Sequence, residues 1–241
     1  MPLTGLLFWL TDIKFQHCGK PWSLQAIFRS PLILILFVAG QFQNLTAQRN
    51  AKEIIRMHKK ENLYFIALIP QKEVYDQIIA FKNDFAERFA SKKALKVMPH
   101  ITLKAPFRLT SNDHGDLVKW FKSLYTTESP FAIELKNFSA FNNRKSPVVY
   151  VDPVMNMPLY SLQNEIIRSF KNSYPTHIHN TDLKFKPHIT IAYRDLEPEK
   201  FREAWKEYKH KEYHALFQVD NFHLLQHDTK RWNVAETYHL K

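Results

Sequence analysis

A chain of 241 residues with 45% hydrophobic and 24% charged side chains is long enough to pack one large or two small domains, which excludes disorder as its overall state. Its 34 Lys and Arg against 23 Asp and Glu leave a formal net charge of +11, a bias toward a polyanionic partner such as nucleic acid, a nucleotide or an anionic surface. The lone Cys18 excludes an internal disulfide and a Cys-rich zinc module. The four glycines, with only Gly115 beyond residue 56, exclude a P-loop, a dinucleotide-binding fingerprint and a glycine-rich kinase loop, so any phosphate must be handled by side chains.

Residues 1–56 differ in composition from the rest and read as an appendage. The apolar run 31–39 (PLILILFVA) is too short for a membrane-spanning helix, which needs about 20 residues. It fits the apolar region of a signal peptide, with 45–48 as a cleavage region, but it lies further from the first residue than a signal normally does. Three readings compete: a displaced signal or anchor, a genuine extension, and upstream sequence ahead of a true start at Met57. The last is favoured, because Met57-His58-Lys59-Lys60 leads directly into a strand-like run.

That run, Leu63 to Ile69, is continuously apolar and stops at Pro70, the pattern of a buried strand. Val74, Ile78, Phe81, Phe85 and Phe89 then recur at helical steps on one face. Val97 to Ala105 alternates as a strand closed by Pro106. Asn112-Asp113 offers an N-cap for a helix carrying Leu117, Trp120, Phe121 and Leu124. Phe131 to Phe138 and Val148 to Val151 read as strands. Pro158 opens a helix with Leu159, Leu162, Ile166 and Phe170 inward, Leu183 to Tyr193 alternates as a strand, and Pro198 opens another helix with Phe201, Trp205 and Tyr208. Leu216 to Leu225 and Trp232 to Leu240 read as the last strands. The order gives two successive strand-helix-strand-helix-strand blocks, roughly 60–142 and 144–226, and hence a duplicated α+β domain over 57–241.

The third element of each block repeats a text: Lys96-x-x-Pro99-His100-Ile101-Thr102 and Lys184-x-x-Pro187-His188-Ile189-Thr190, 88 residues apart. A repeated four-residue word has a chance expectation of roughly 0.2 in a chain of this length, so its weight comes from the matching positions in matching blocks. In a strand, side chains alternate faces. His100, Thr102 and Lys104 therefore share one face, and Lys186, His188, Thr190 and Arg194 share another, while the isoleucines face the core. Two imidazoles across a cleft suit phosphodiester chemistry. A neutral one takes a proton from the attacking oxygen and a protonated one gives a proton to the leaving oxygen, with the threonine hydroxyls and cations on the phosphoryl oxygens.

Two His-x-Thr motifs on strands of a duplicated α+β domain resemble the 2H phosphoesterase superfamily, the group of RNA 2',3'-cyclic phosphodiesterases and the bacterial proteins called RNA 2',5'-ligases. The resemblance covers about 63–240. It implies a bilobal fold with two antiparallel sheets related by a pseudo-two-fold axis, helices outside and the active cleft between the lobes. It further implies metal-independent hydrolysis or transesterification of 2',3'-cyclic or 2',5'-linked phosphates at an RNA end or nucleotide, with no cofactor. By position it makes His100 and His188 the catalytic pair and Thr102 and Thr190 the phosphate-binding hydroxyls. Arg194 is a candidate for an arginine that relatives carry after the second motif. The expected protein is a cytoplasmic monomer with no stable membrane association. The alternative is a non-catalytic RNA- or nucleotide-binding module that keeps the cleft.

His177, His179 and His188 offer a rival metal cluster, weakened by the loop character of 174–181 and the lack of a completing carboxylate or Cys. Phe107, Tyr150, Tyr193 and Trp232 are candidates to stack on a base, Phe107 first because it follows the first motif strand. Lys92, Lys93 and Lys96 read as a solvated helix end rather than an RNA track.

Overall fold

The computed structural model describes residues 61–241, and the expectations about 1–56 and a start at Met57 lie outside the described residues. In chain order these residues form β1 (Glu61–Leu68), α1 (Lys72–Arg88), β2 (Ile101–Thr110), α2 (His114–Lys122), β3 (Phe131–Phe141), β4 (Val148–Pro153), α3 (Met157–Ser173), a one-turn α4 (Asn180–Leu183), β5 (Ile189–Ala192), α5 (Pro198–Tyr208), β6 (His214–Val219), β7 (Asn221–His227) and β8 (Trp232–His239). The strands make two four-stranded antiparallel sheets, ordered β2-β1-β7-β8 and β5-β4-β3-β6, one for each lobe.

β1 is continuously apolar because it is a central strand covered on both faces. Tyr64, Ile66 and Leu68 enter the main core, while Phe65 and Ala67 join Leu225 in a smaller cluster on the other face, packed by Met98 and Trp232. On α1 the buried stripe is Val74, Ile78, Lys82 and Phe85, at steps of four, four and three. The helix stops where Ala90 takes a left-handed conformation (φ 58°), and the Ser91 N–H returns to the Phe85 carbonyl at 3.1 Å. α3 is capped by the Asn156 side chain, which accepts the Leu159 N–H at 2.9 Å, and Pro158 sits in its first turn. Fully buried rings such as Phe85, Phe121 and Phe170 each stabilise the fold by about 1.5–3 kcal/mol through the apolar area removed from water.

The duplicated unit is smaller than the sequence suggests. A strand-helix-strand unit recurs, β1-α1-β2 and β4-α3-β5, and in each the second strand is a sheet edge antiparallel to the first. The other strands are exchanged between lobes. β3, expected in the first block, lies between β4 and β6 in the second sheet, and β7 and β8 return to complete the first. The lobes are thus interleaved along the chain, not the consecutive halves 60–142 and 144–226.

Three element boundaries also differ from expectation. The stretch Leu216 to Leu225 is two strands in different sheets, and the chain crosses between them at Asp220, whose carbonyl accepts the Leu240 N–H at 2.8 Å. β2 starts only at Ile101 and runs through Pro106 to Thr110, because it is an edge strand and Pro106 falls at an irregularity in the ladder where no N–H is required. β5 is confined to Ile189–Ala192, since 180–183 form α4 and 184–188 carry no ladder bonds.

Candidate active site

The two motifs enter their strands in the same way. Pro99 and Pro187 are buried, and a proline holds the residue before it extended, so each histidine lies just before an edge strand at a fixed place. His100 Nδ1 lies 2.7 Å from the Met98 carbonyl and His188 Nδ1 lies 2.8 Å from the Lys186 carbonyl. A carbonyl oxygen only accepts, so Nδ1 donates in both rings and Nε2 is left as the unprotonated nitrogen of the neutral form. The Phe65 ring centroid is 4.8 Å from that of His100, and Phe141 and Tyr150 are 5.1 and 5.5 Å from His188. Each imidazole is therefore held by one backbone bond and an aromatic wall.

Both motif strands then slip register by one residue just after the threonine. In the first lobe Ala67 pairs with Thr102 but Ile66 pairs with Lys104; in the second, Tyr150 pairs with Thr190 but Val149 pairs with Ala192. Each slip is a bulge that breaks the alternation of faces. β2 slips a second time, between the Ile66–Lys104 and Tyr64–Phe107 pairs. These bulges decide which residues beyond the threonines reach the cleft.

The cleft is a cavity of about 290 Å³ that brings together His100, Thr102, His188, Thr190 and Arg194 with Lys82 of α1. Its apolar wall includes Phe65, Phe141, Tyr193 and Trp232. Two imidazoles, two threonine hydroxyls, the Tyr193 phenol, a guanidinium and an ammonium line it, and among the described residues no carboxylate does. Among the described residues neither threonine hydroxyl has a protein partner, so both are available to a ligand. Arg194 has a left-handed backbone (φ 62°), costly for a residue with a Cβ, and its guanidinium carbon lies 5.1 Å from the Tyr193 ring centroid. The next residue anchors that loop. Asp195 accepts the Ser91 hydroxyl at 3.0 Å and the N–H groups of Lys92 and Lys93 at 2.9 Å, tying the loop after the second motif to the turn before the first.

Burial pushes His100 down to about 4, with Lys82 and His188 acting in the same direction and the Met98 bond opposing. Burial also lowers His188, assisted by Lys186, while its carbonyl bond and Asp152 favour the protonated ring. The free protein therefore holds both imidazoles neutral at neutral pH. His188 is the one with a carboxylate near enough to support its charged form.

Several expected contacts lie elsewhere. Lys104 is displaced by the bulge from the face of Thr102 into the core, fully buried, where its ammonium meets Asp182 at 3.0 Å. Phe107, carried inward by the second slip, packs between Tyr64 and Phe170 at 2% exposure and is core rather than a stacking platform. Lys186 is exposed and lines a separate hollow with Asp152, its ammonium against the rings of Phe141 and Tyr150. Tyr150 is buried beneath His188, and among the described residues its hydroxyl has no partner. Tyr193 and Trp232 do reach the cleft. The bulge after Thr190 turns Tyr193 to the threonine's side, and Arg194, beyond the end of β5, lines the cleft from a left-handed backbone position. Lys92, Lys93 and Lys96 are exposed on a 3₁₀ turn. His177 and His179 do not line the cleft, and among the described residues no three His, Cys, Asp or Glu side chains are grouped as metal ligands. Sequence reasoning missed Lys82, although the step of four from Ile78 that reaches it was legible as a charge on an apolar stripe.

A bilobal α+β scaffold that presents one His-x-Thr motif from each sheet to a shared cleft defines the 2H phosphoesterase class. The chain belongs to the 2'-5' RNA ligase superfamily, whose sequence model matches residues 70–231. It is 30% identical over 176 residues to a protein of Geobacillus kaustophilus named as a candidate phosphoesterase, covering 73% of this chain and 94% of that one. It is 29% identical to a protein of Bacillus cytotoxicus given the same designation, covering 73% and 95%. Among solved structures the fold is similar to E. coli LigT complexed with 3'-AMP, with a TM-score of 0.57 and 17% identity over 76% of this chain and 99% of that one. Among the described residues no helix is long and apolar enough to cross a membrane.

Proposed function

We propose that this protein hydrolyses a 2',3'-cyclic phosphate or a 2',5'-linked phosphodiester, at an RNA end or on a nucleotide, by two-histidine acid/base catalysis without a metal. The observation that carries the reading is the matched pair of imidazoles, each with Nδ1 bonded to the carbonyl two residues before it and Nε2 left for chemistry, in a cleft lined by cations and hydroxyls. His100, held neutral by burial and by Lys82, takes the proton of the attacking water as its oxygen bonds to phosphorus. His188, supported by Asp152, gives its Nε2 proton to the ribose oxygen as the P–O bond breaks. Thr102 and Thr190 donate to the non-bridging oxygens, and Arg194 offsets the charge that gathers there. The aromatic wall with Tyr193 and Trp232 offers stacking surface to the base. The 3'-AMP named with the similar LigT structure is in keeping with a nucleotide ligand for this cleft.

The experiment is a turnover assay with the four 2',3'-cyclic nucleotides, a 2',5'-linked dinucleotide and its 3',5' isomer, each with and without EDTA. Hydrolysis of the cyclic or 2',5'-linked substrates, unchanged by chelation, is expected. Tight binding of these ligands with no turnover would instead mark a nucleotide-binding module, and loss of turnover on chelation that a divalent ion restores would overturn the metal-independent chemistry.

A further inference from the structure

Lys82 is the one charged residue on the buried stripe of α1, at a position that Ile78 and Phe85 flank with apolar side chains. It is 2% exposed and lines the cleft beside His100. An ammonium carries three donors, and the structure uses one of them, on the Val97 carbonyl at 2.7 Å. Among the described residues no carboxylate pairs with it, whereas Lys104, the other fully buried lysine, has Asp182 at 3.0 Å. Buried cations are ordinarily paired, because removing a charge from water without a counter-charge is costly. The titratable and charged groups around Lys82 in the cleft are His100 from the lead-in to β2, His188 from the lead-in to β5, and Tyr193 and Arg194 from just beyond β5, and among the described residues none of them is a carboxylate.

A buried ammonium that no carboxylate pairs among the described residues is half of an ion pair. We propose that Lys82 is a substrate-binding residue, donating to the phosphoryl oxygens together with Arg194, and that phosphate in the cleft favours its protonated form. The inference rests on the phosphoesterase reading of this cleft and adds a residue to it. Burial is what makes the protonation depend on the ligand, since it lowers the Lys82 ammonium to about 7 in the free protein. An anion beside it raises that value, so phosphate binding near and above neutral pH draws a proton from solvent onto Nζ. His100, near 4 when free, and His188, also lowered, contribute less to this uptake in the alkaline range. Positive charge on Lys82 in the free protein is also among the causes that keep His100 neutral, so one side chain serves both the base and the anion.

The test uses the full chain and inorganic phosphate. Isothermal calorimetry compares the wild type with Lys82→Met, which keeps the unbranched stem and removes the charge. Phosphate affinity is expected to fall by about 10- to 100-fold, the usual effect of losing a charge-assisted hydrogen bond, and unchanged affinity would overturn the proposal. In parallel, carbon-13 labelling at lysine Cε follows Lys82 directly in the wild type, with Lys82→Arg used only to assign the signal. Its titration midpoint is expected near neutral pH and to move up by about one unit or more with saturating phosphate. A midpoint that phosphate does not move refutes the role even if Lys82→Met fails to fold. A wild type that binds phosphate and shifts Lys82 yet turns over no diester would contradict the proposed catalysis and leave this inference standing. Full turnover with an unmoved Lys82 would do the reverse.

Discussion

Lys104→Met is expected to lower stability and leave the chemistry alone, because the residue that strand alternation placed beside Thr102 is a core residue. Its ammonium and the Asp182 carboxylate are both essentially inaccessible to water and lie 3.0 Å apart. Removing one partner of a buried pair costs about 3–5 kcal/mol. The lower end applies to Lys104→Met, since Asp182 keeps the Ala105 N–H at 2.8 Å and the His179 N–H at 2.7 Å, and the thioether reaches toward the Phe107 and Phe170 rings over which the ammonium lay. Asp182→Ala strands the ammonium and both N–H groups and falls at the upper end. For a domain of this size each kcal/mol moves Tm by about 2–4 °C, so drops of about 6–12 °C and 10–20 °C are expected. The pair Lys104→Met with Asp182→Asn is expected to recover part of the single-site loss, because no charge is then left unpaired. Thermal melts supply the stabilities, and kcat/KM on a 2',3'-cyclic nucleotide, measured well below each melt, supplies the function. A Lys104→Met protein with wild-type Tm and a tenfold or greater loss of kcat/KM, about 1.4 kcal/mol in transition-state binding, would refute the reasoning and return Lys104 to the cleft.

The pH profile of kcat/KM, which reports the free protein, is expected to peak on the acid side of neutrality. It falls below about 4 as His100 takes up a proton, and falls on the alkaline side as His188 loses one at a value below its usual range. An optimum at or above about pH 7.5 would contradict that assignment. Arg194→Gly is expected to relieve the left-handed backbone, raising stability by about 1 kcal/mol in a melt, while KM for the cyclic substrate rises severalfold. An unchanged KM would remove Arg194 from the phosphate site. A protein starting at Met57 is expected to keep the turnover and melting of the full chain, and aggregation or lost activity on that truncation would assign residues 1–56 a part in the fold.

The two His-x-Thr motifs and the strand-helix-strand units around them were legible because each rests on local chemistry: proline before histidine, apolar periodicity, and helix starts at Pro158 and Pro198. What escaped is set by partners distant in sequence. The stretch from Leu216 to Leu225 carries no glycine or proline, and its one local turn signal, Asp220-Asn221, does not say that the strands on either side join different sheets. The bulges are properties of a ladder, visible only as a register between two strands: the one after Thr102 moved Lys104 inward, the second slip of β2 set Phe107 in the core, and the one after Thr190 turned Tyr193 to the cleft. Pro106 was read as a strand end when edge position and bulge together permit it inside β2. Lys82 needed only a stricter reading of the helix, because the stripe Val74, Ile78, Phe85 predicts an apolar residue where the chain has a lysine.

The central claim is that two imidazoles, one from each lobe, divide the proton transfers. It is tested most directly by kcat/KM of the wild type, His100→Ala, His188→Ala and the double variant on one 2',3'-cyclic nucleotide, with melts to establish folding. Each single substitution is expected to lose about 10²- to 10⁴-fold, and the double little more than the worse single, because an acid and a base acting in one step fail as a unit. A folded single variant that turns over at close to the wild-type rate would contradict the two-histidine mechanism.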